Sequence, residues 1–400
     1  MAFIRISGLF LYLLVVLSCL GLPNEASAQQ QVDQAALHAL ERRSIETQSD
    51  AVLVYLDGKQ IFDYRSKAPR EPMYLMSCTK SITGLAVMEA ITEGKITSID
   101  EPVYKFFPEL NQGRKKLITI RMLLSMTSGI QHIGTGNEVY AAPDSVKQAV
   151  AAELADAPGS VFSYNNKAVS LLAGIVQIAT GEQLDAYADE HFFTPMGISD
   201  WRWERDTAGN PYAMADLKLQ PEDFAKFGTL ILQKGQWQGK QLIAANWVDE
   251  LGRQSQPYEP LYGLLWWRIP AQASGTVTDK HLAALSTGGL DRALVDKLQQ
   301  LRGKTFQTQT QWHRALAGVI PDWEDKVYIP GVIGPYAMDV PTWTYQGFDG
   351  VSAEGYLGQY LVVFPSRKLV AIRMINSRDG YDFIKNRFED FPDAVRALAH

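Results

Sequence analysis

The chain has 400 residues, 46% of them hydrophobic and 20% charged, with a formal net charge of −6. That is ordinary globular composition with ample material for a large core, in one domain or two intimate lobes. The acidic balance offers no basic surface for nucleic acid or an anionic membrane, and removing the first 28 residues, which carry Arg5 and Glu25, leaves it unchanged.

The first residues read as a signal peptide, residues 1–28. Arg5 gives the positive start, Leu9 to Leu20 an apolar stretch, and Ala26-Ser27-Ala28 a small-residue cleavage site. The mature chain, 29–400, then begins near Gln29, and export to a periplasmic or extracellular location is expected. Cys19 offers a rival, lipid-attached start, which Leu17 fits poorly. The apolar stretch is short for a span, so no integral membrane segment is expected after cleavage. Loss of Cys19 leaves Cys78 as the only cysteine and excludes an intramolecular disulfide.

Gln34 to Thr47 has helical apolar spacing (Ala35, Leu37, Leu40, Ile45). Ala51–Leu56, Asp57-Gly58 and Gln60–Tyr64 predict a β-hairpin with a tight turn. After a loop with Pro69 and Pro72, a helix is predicted from Ser77 to Glu93-Gly94, where glycine suits the cap. Another begins at Ile118 with Thr119 as cap and closes at Ser128-Gly129. Further helices are expected over 144–156, 168–180, 184–192 and 221–233. Gln359–Phe364 and Leu369–Ile375 are two strands joined by a short turn, and Phe383–Ala399 reads as a closing helix. There is no internal repeat. The polar stretch 272–341, with a helix over 291–302, reads as a lid or rim of a cleft. The expected fold is α+β: an antiparallel sheet built from the N- and C-terminal segments (29–115 and 342–400), flanked by helices. A mostly helical lobe (116–341) is inserted, with an unassigned insertion near 272–341.

Three clusters carry chemistry. Ser77-Cys78-Thr79-Lys80 sets a hydroxyl three residues before a lysine, at the start of an apolar run. On a helix these two side chains share a face. An ordinary lysine, pKa roughly 10.4, is protonated at neutral pH. Burial under Leu85, Ala86, Val87, Met88 and Ile91 disfavours that charge, and a neutral Lys80 can deprotonate Ser77. The plain alternative is a capping serine followed by a solvated lysine. Cys78 reads as a small apolar filler. In the second cluster, Tyr164 can move a proton to a leaving group and Asn166 can orient the lysine or a substrate carbonyl; alternatively both only cap the next helix. In the third, Gly355 lets backbone approach a ligand, and the N–H groups of Ser77 and Tyr356 can form an oxyanion hole; the alternative is a glycine turn before a strand. There is no Gly-x-Ser-x-Gly, His-Glu-x-x-His or Walker motif. His132, His191 and His313 read as surface or capping residues, and no metal or cofactor is expected.

In this order, Ser77-Cys78-Thr79-Lys80, Tyr164-Asn165-Asn166 and the Gly-rich approach to a C-terminal strand resemble the serine β-lactamase and penicillin-binding-protein-like family. The similar branch holds class C β-lactamases, D-Ala-D-Ala carboxypeptidases, esterases and 6-aminohexanoate-dimer hydrolases. Glu93-Gly94-Lys95-Ile96, Ile99-Asp100-Glu101-Pro102-Val103 and Leu124–Ile130 also resemble its wording. The resemblance implies a β-lactamase/transpeptidase-like fold and a cofactor-independent serine hydrolase. Ser77 would form an acyl-enzyme, Lys80 and Tyr164 would move protons, Asn166 would position lysine and substrate, and Ser77 and Tyr356 N–H groups would hold the oxyanion. The sequence departs from the family at Ala353-Glu354-Gly355, which stands where Lys or His, any residue, then Gly is usual. A cation to grip the carboxylate of a penicillin or peptide terminus is missing. The expectation is therefore an esterase or amidase for a small-molecule ester, amide or peptide, ahead of a β-lactamase or carboxypeptidase. A binding or sensing protein with little turnover is the reading from another class.

Overall fold

The computed structural model describes residues 32–67, 71–280, 282–283, 291–321, 341–383 and 385–399. The expected signal peptide and part of the 272–341 insertion lie outside them. The hairpin forms as its turn dictates: Asp57 and Gly58 both have positive φ, 49° and 75°, the combination whose twist matches paired strands. It joins β1 (Ala51–Leu56) to β2 (Lys59–Arg65). The other strands of the main sheet are β3 (Trp267–Val277), β4 (Thr305–Phe306), β5 (Pro341–Gly355), β6 (Gln359–Phe364) and β7 (Leu369–Met374). They form one seven-stranded sheet in the order β2-β1-β7-β6-β5-β3-β4, antiparallel throughout.

Alternation along the central strands feeds a core on each face. Val52, Val54, Val362, Phe364 and Ala371 pack with Leu40 of α1 (Gln34–Glu46) and with Phe391 and Val395 near the C-terminus. Leu53, Leu361, Val363, Val370 and Ile372 belong to the larger core. That core is built on α2 (Thr79–Thr92), α3 (Ile120–Leu124), α4 (Ser145–Ala151), α5 (Asn166–Thr180) and α6 (Pro221–Leu232). α2 is buried without a break from Thr79 to Met88, and its polar side chains find partners inside, Ser81 Oγ donating to the Leu265 carbonyl and Thr83 Oγ1 to the Ala213 carbonyl, each at 2.8 Å. α6 lies directly on the sheet: a Cβ on Gly228 would stand 2.4 Å from Val370 Cγ1 and 2.8 Å from Leu361 Cδ1, so glycine sets that approach. A separate small core holds the insertion, with Trp312 and Leu316 packed on Val277 and Phe306.

The architecture is the expected α+β one, with corrections to its bounds. β3 and β4 join the sheet from within the stretch assigned to the helical lobe, so that lobe is not uninterrupted to residue 341. α3 ends at Leu124 rather than near Gly129, because Met126 turns the chain with φ of 60° and Gly129 passes against Asp156, whose carbonyl oxygen would be 2.4 Å from a Cβ there. The closing helix is confined to Phe391–Arg396. Pro392 sits in its first turn, where a missing N–H costs nothing, whereas a helix running in from residue 383 would lose a hydrogen bond there. No helix among the described residues is long and apolar enough to cross a membrane.

Candidate active site

Ser77 occupies a short helical turn, Met76–Cys78, that runs straight into α2. The chain reaches it under constraint. Met73 and Tyr74 pair with Leu219 and Lys218, and Met76 adopts φ of 50°, a left-handed conformation that costs a non-glycine residue about 1–3 kcal/mol. The Gln359 side chain ties this segment to the sheet. Its Nε2 donates to the Tyr74 and Ile375 carbonyls at 2.9 and 2.7 Å, and its Oε1 accepts from the Ile375 N–H at 2.7 Å.

One helical turn on, Lys80 is 1% exposed. Its Nζ donates to Ser77 Oγ at 3.0 Å and to the Met214 carbonyl at 2.7 Å. The segment carrying Met214 is fixed along α2, with Thr83 Oγ1 donating to the Ala213 carbonyl at 2.8 Å and the Leu217 N–H donating to Thr79 Oγ1 at 3.3 Å. No carboxylate pairs with Lys80 among the described residues. Burial therefore dominates and pushes the ammonium pKa down to about 7, against smaller upward influences from Cys78 and Asp216. About half of such lysines are neutral at pH 7.

Tyr164 completes the group. Its phenol lies beside the Ser77 side chain, and its ring lies 4.9 Å from Lys80 Nζ, stacked on Trp267 and edge-on to Tyr262. Burial pushes the phenol up, with Ser77 partly opposing, so Tyr164 carries its proton at neutral pH. The helix cap in this cluster is Asn165, whose Oδ1 accepts from the Ala168 N–H at 2.9 Å and whose Nδ2 donates to the Ile130 carbonyl at 2.6 Å. Asn166 is the first residue of α5 rather than a loop residue. With the cap supplied by its neighbour, its Oδ1 is buried with no partner among the described residues. An acceptor in that state costs about 1–3 kcal/mol, which a ligand or lysine N–H would recover.

The end of β5 closes on the other side. A Cβ on Gly355 would stand 2.7 Å from the Leu75 carbonyl oxygen and 3.1 Å from Ser77 N, so glycine lets the strand reach the Ser77 N–H. That N–H lies in the first turn of a helix, where donors lack intrahelical acceptors. Tyr356 follows at once; its side chain is exposed and packs on Phe383, with ring centroids 4.6 Å apart. The turn after it has left-handed Leu357 and Gly358, φ 68° and 85°. Buried Arg373 clamps this turn, donating from Nη1 to the Gly358 carbonyl at 2.8 Å and from Nη2 to the Thr47 and Asn386 carbonyls at 3.0 Å.

The family model described as Beta-lactamase matches residues 37–391. This chain belongs to the β-lactamase family. Protein flp of Staphylococcus aureus (strain MW2) is 30% identical over 209 residues, a match covering 48% of this chain and 42% of flp; the matched stretch is less than half the length of that curated relative. A solved candidate 6-aminohexanoate-dimer hydrolase from Bacillus anthracis aligns with a TM-score of 0.59 at 18% identity, over 90% of this chain and 83% of its own. The octameric penicillin-binding protein homologue from Pyrococcus abyssi aligns with a TM-score of 0.55 at 17% identity, over 86% and 74% respectively. At these identities the two structures establish the β-lactamase/transpeptidase-like fold.

Within this β-lactamase-family chain the third motif is the divergent corner. Ala353 is 1% exposed and sits opposite Leu361, facing the larger core. Glu354 points the other way, opposite Tyr360, and accepts from Ser352 Oγ at 2.8 Å. Burial pushes its carboxyl up, partly opposed by that hydroxyl. Cys78 is buried filler, its Sγ donating to the Gln359 carbonyl and its thiol pushed up by burial. Of the histidines, His132 accepts at Nδ1 from the Gly134 N–H, so its Nε2 carries the proton toward Ser163 Oγ at 2.7 Å. His313 is neither a surface nor a capping residue: it is buried, with Nδ1 2.5 Å from Glu389. His191 groups with Glu89 and Glu93 near the far end of α2, their ligand atoms within 4.8 Å of one another; the Tyr187 hydroxyl donates to Glu93 there at 2.8 Å.

The sequence reading missed Met214, Gln359, Arg373 and Glu354. A carbonyl such as that of Met214 has no sequence signature. Arg373 had one, a charge in the middle of the apolar strand Leu369–Met374, where burial demands full hydrogen bonding.

Proposed function

We propose that this chain is a serine hydrolase that cleaves an ester or amide through an acyl-enzyme on Ser77. The observation that carries the reading is Lys80 Nζ, buried without a counter-ion among the described residues and 3.0 Å from Ser77 Oγ. In the neutral form Lys80 takes the Ser77 proton as Oγ bonds to the substrate carbonyl carbon. The N–H groups of Ser77 and Tyr356 stabilise the oxyanion that results. Tyr164, holding its proton, passes one to the departing alcohol or amine. Asn166 Oδ1 accepts from a substrate N–H or from Lys80. Water then attacks the acyl carbonyl and the same groups run in reverse to free Ser77.

The absence of a cation at Ala353 favours esters and small linear amides over penicillins and peptide C-termini, and likeness to a candidate 6-aminohexanoate-dimer hydrolase supports the amide side. The same absence also supports the rival reading, a sensor of cell-wall fragments with little turnover. A fluorophosphonate probe on the mature protein tests the first reading: labelling is expected on Ser77 and lost in Ser77→Ala. Equal labelling of that variant would sink it. Labelling with no hydrolysis of any ester, β-lactam, D-Ala-D-Ala peptide or aminohexanoate oligomer would favour the sensor. We extend the reading to export on the strength of Arg5, the apolar stretch and Ala26-Ser27-Ala28. Sequencing of the protein recovered from cells is expected to begin near Gln29, and an intact Met1 would refute cleavage.

A further inference from the structure

A cavity of about 650 Å³ adjoins the site on the face of the sheet to which Glu354 points, and Trp267, Glu354, Gly355 and Tyr356 are in its wall. Two of these border the reacting groups directly: Trp267 stacks on Tyr164, and Gly355 lies against Ser77 N. The other acids of the wall are matched. Glu389 pairs with Arg387 at 2.7 Å, Asp390 with Arg43 at 3.2 Å, and Asp393 with Arg396 at 2.5 Å. The remaining wall cation, Arg268, is stacked over Phe348 at 3.5 Å and donates to the Gly252 carbonyl at 3.0 Å. Glu354 alone among these wall carboxylates has no cation against it among the described residues, and the hydrogen bond described at its carboxylate is the one from Ser352.

A carboxylate taken out of water without a counter-charge is costly. Among the described residues nothing positive offsets the partial burial of Glu354, and its charge reaches far enough to help raise the Tyr164 phenol. A positive group carried in by the substrate would relieve both penalties, whereas a negative one would add to them.

We propose that Glu354 determines specificity by receiving the ammonium group of a substrate, so that the site takes amine-bearing esters or amides and turns away anionic ones. The proposal rests on the hydrolase reading of Ser77 and adds the charge class of its substrate. It also gives the divergence at the third motif a direction: the usual cation has been lost and an anion stands exposed to the cavity beside it.

Matched substrates test it. On the acyl side these are p-nitrophenyl esters of γ-butyrobetaine, of its neutral tert-butyl isostere and of glutaric acid as the monoester. On the leaving-group side they are acetylthiocholine and its tert-butyl isostere. In the wild-type chain kcat/KM is expected to favour the cation by about tenfold or more in at least one pair, with the glutarate ester poorest. In Glu354→Gln that ratio falls to about one, and in Glu354→Lys the order reverses toward the glutarate ester. Fluorophosphonate labelling of Ser77 in each variant shows that the fold and nucleophile survive, and the wild-type ratios stand whatever the variants' yield. Wild-type ratios near one in both pairs, or a cationic preference unmoved by Glu354→Gln, would overturn the proposal while Ser77-dependent hydrolysis persisted. Absence of Ser77-dependent hydrolysis and labelling would instead overturn the hydrolase reading, and this proposal with it.

Discussion

Lys80, buried one helical turn beyond Ser77, and Glu354, half-buried in the cavity wall next to Gly355, each lack an ion-pair partner among the described residues. Elsewhere the chain does match buried charge: Lys167, 6% exposed, has Glu138 at 2.6 Å. Lys80 instead receives only a hydroxyl and a carbonyl oxygen, and burial takes its pKa down to about 7. Glu354 receives only a hydroxyl, and burial takes its carboxyl up. The same withheld counter-charge has different uses. A lysine does base chemistry in its neutral form, so burial itself prepares Lys80. A carboxylate attracts in its charged form, so burial leaves Glu354 set for a partner that arrives with the substrate.

The Lys80 half of that comparison breaks most visibly. Ser77→Ala and Lys80→Ala are each expected to lose about 10⁴-fold or more in turnover, measured as kcat on whichever ester the chain accepts. Lys80→Arg is expected to rescue nothing, because a guanidinium stays protonated. Substantial activity in Lys80→Arg would mean that the lysine acts as a charge rather than as a base. The pH dependence follows with its sign fixed. Below about 7 Lys80 is protonated and cannot accept from Ser77, so kcat/KM is expected to fall tenfold per unit on an acid limb centred near that pH. Stability moves the same way. Between about 7 and 10.5 the unfolded chain holds a proton on this lysine that the folded chain lacks, so Lys80 makes stability rise with pH across that window. Lys80→Met should remove that increment from denaturation midpoints taken along the series.

Tyr164→Phe comes next in size, with a loss of about 10²–10⁴-fold in kcat and little change in KM. The phenol is held protonated by burial, which suits it to the donor role proposed for it. A Phe variant that retained full activity on amides would leave the leaving group to find its proton elsewhere.

The two corners were not equally legible. Ser77-x-x-Lys80 could be read because helical spacing alone places i and i+3 on one face, and the apolar run after it announced the burial that shifts the lysine. Tyr164 and Asn166 were legible as a pair, although the capping role belonged to Asn165, which a sequence cannot separate from its neighbour. The glycines at 355 and 358 signalled close approach. What closes on them comes from elsewhere in the chain: the register of β6 on β7 brings Arg373 up to Gly358, and the turn before α2 brings Leu75 and Ser77 up to Gly355. Glu354 has no signature of its own, because the family's distinguishing residue stands at position 353. Adjacent residues of a strand face opposite ways, so a lost cation and a gained anion sit on different faces of the sheet. The fold was read correctly where turns and periodicity were strong, at β1, β2, β6 and β7. It was misread at β3, whose eleven residues run through a polar, Gly-bearing stretch and become strand by pairing with β5.

The smallest expected effect is also the one that asks whether the two corners meet at Gly355. A Cβ there would press on the Leu75 carbonyl at 2.7 Å and on Ser77 N at 3.1 Å, whereas a Cβ on Gly350 in the same strand would press on Phe364 Cδ1 at 2.7 Å and the Val363 carbonyl at 2.8 Å. The two insults are alike in size, and each alanine is expected to cost about 1–3 kcal/mol of stability. Only the one at residue 355 pushes the strand off Ser77. Gly355→Ala is therefore expected to slow fluorophosphonate labelling of Ser77 by about tenfold, the scale at which displaced oxyanion donors begin to be felt. Gly350→Ala, equally destabilised in thermal melts, is expected to label at the wild-type rate. Equal slowing in both would show that labelling follows the rigidity of β5 as a whole, and would separate Glu354 from the chemistry at Ser77 rather than join it.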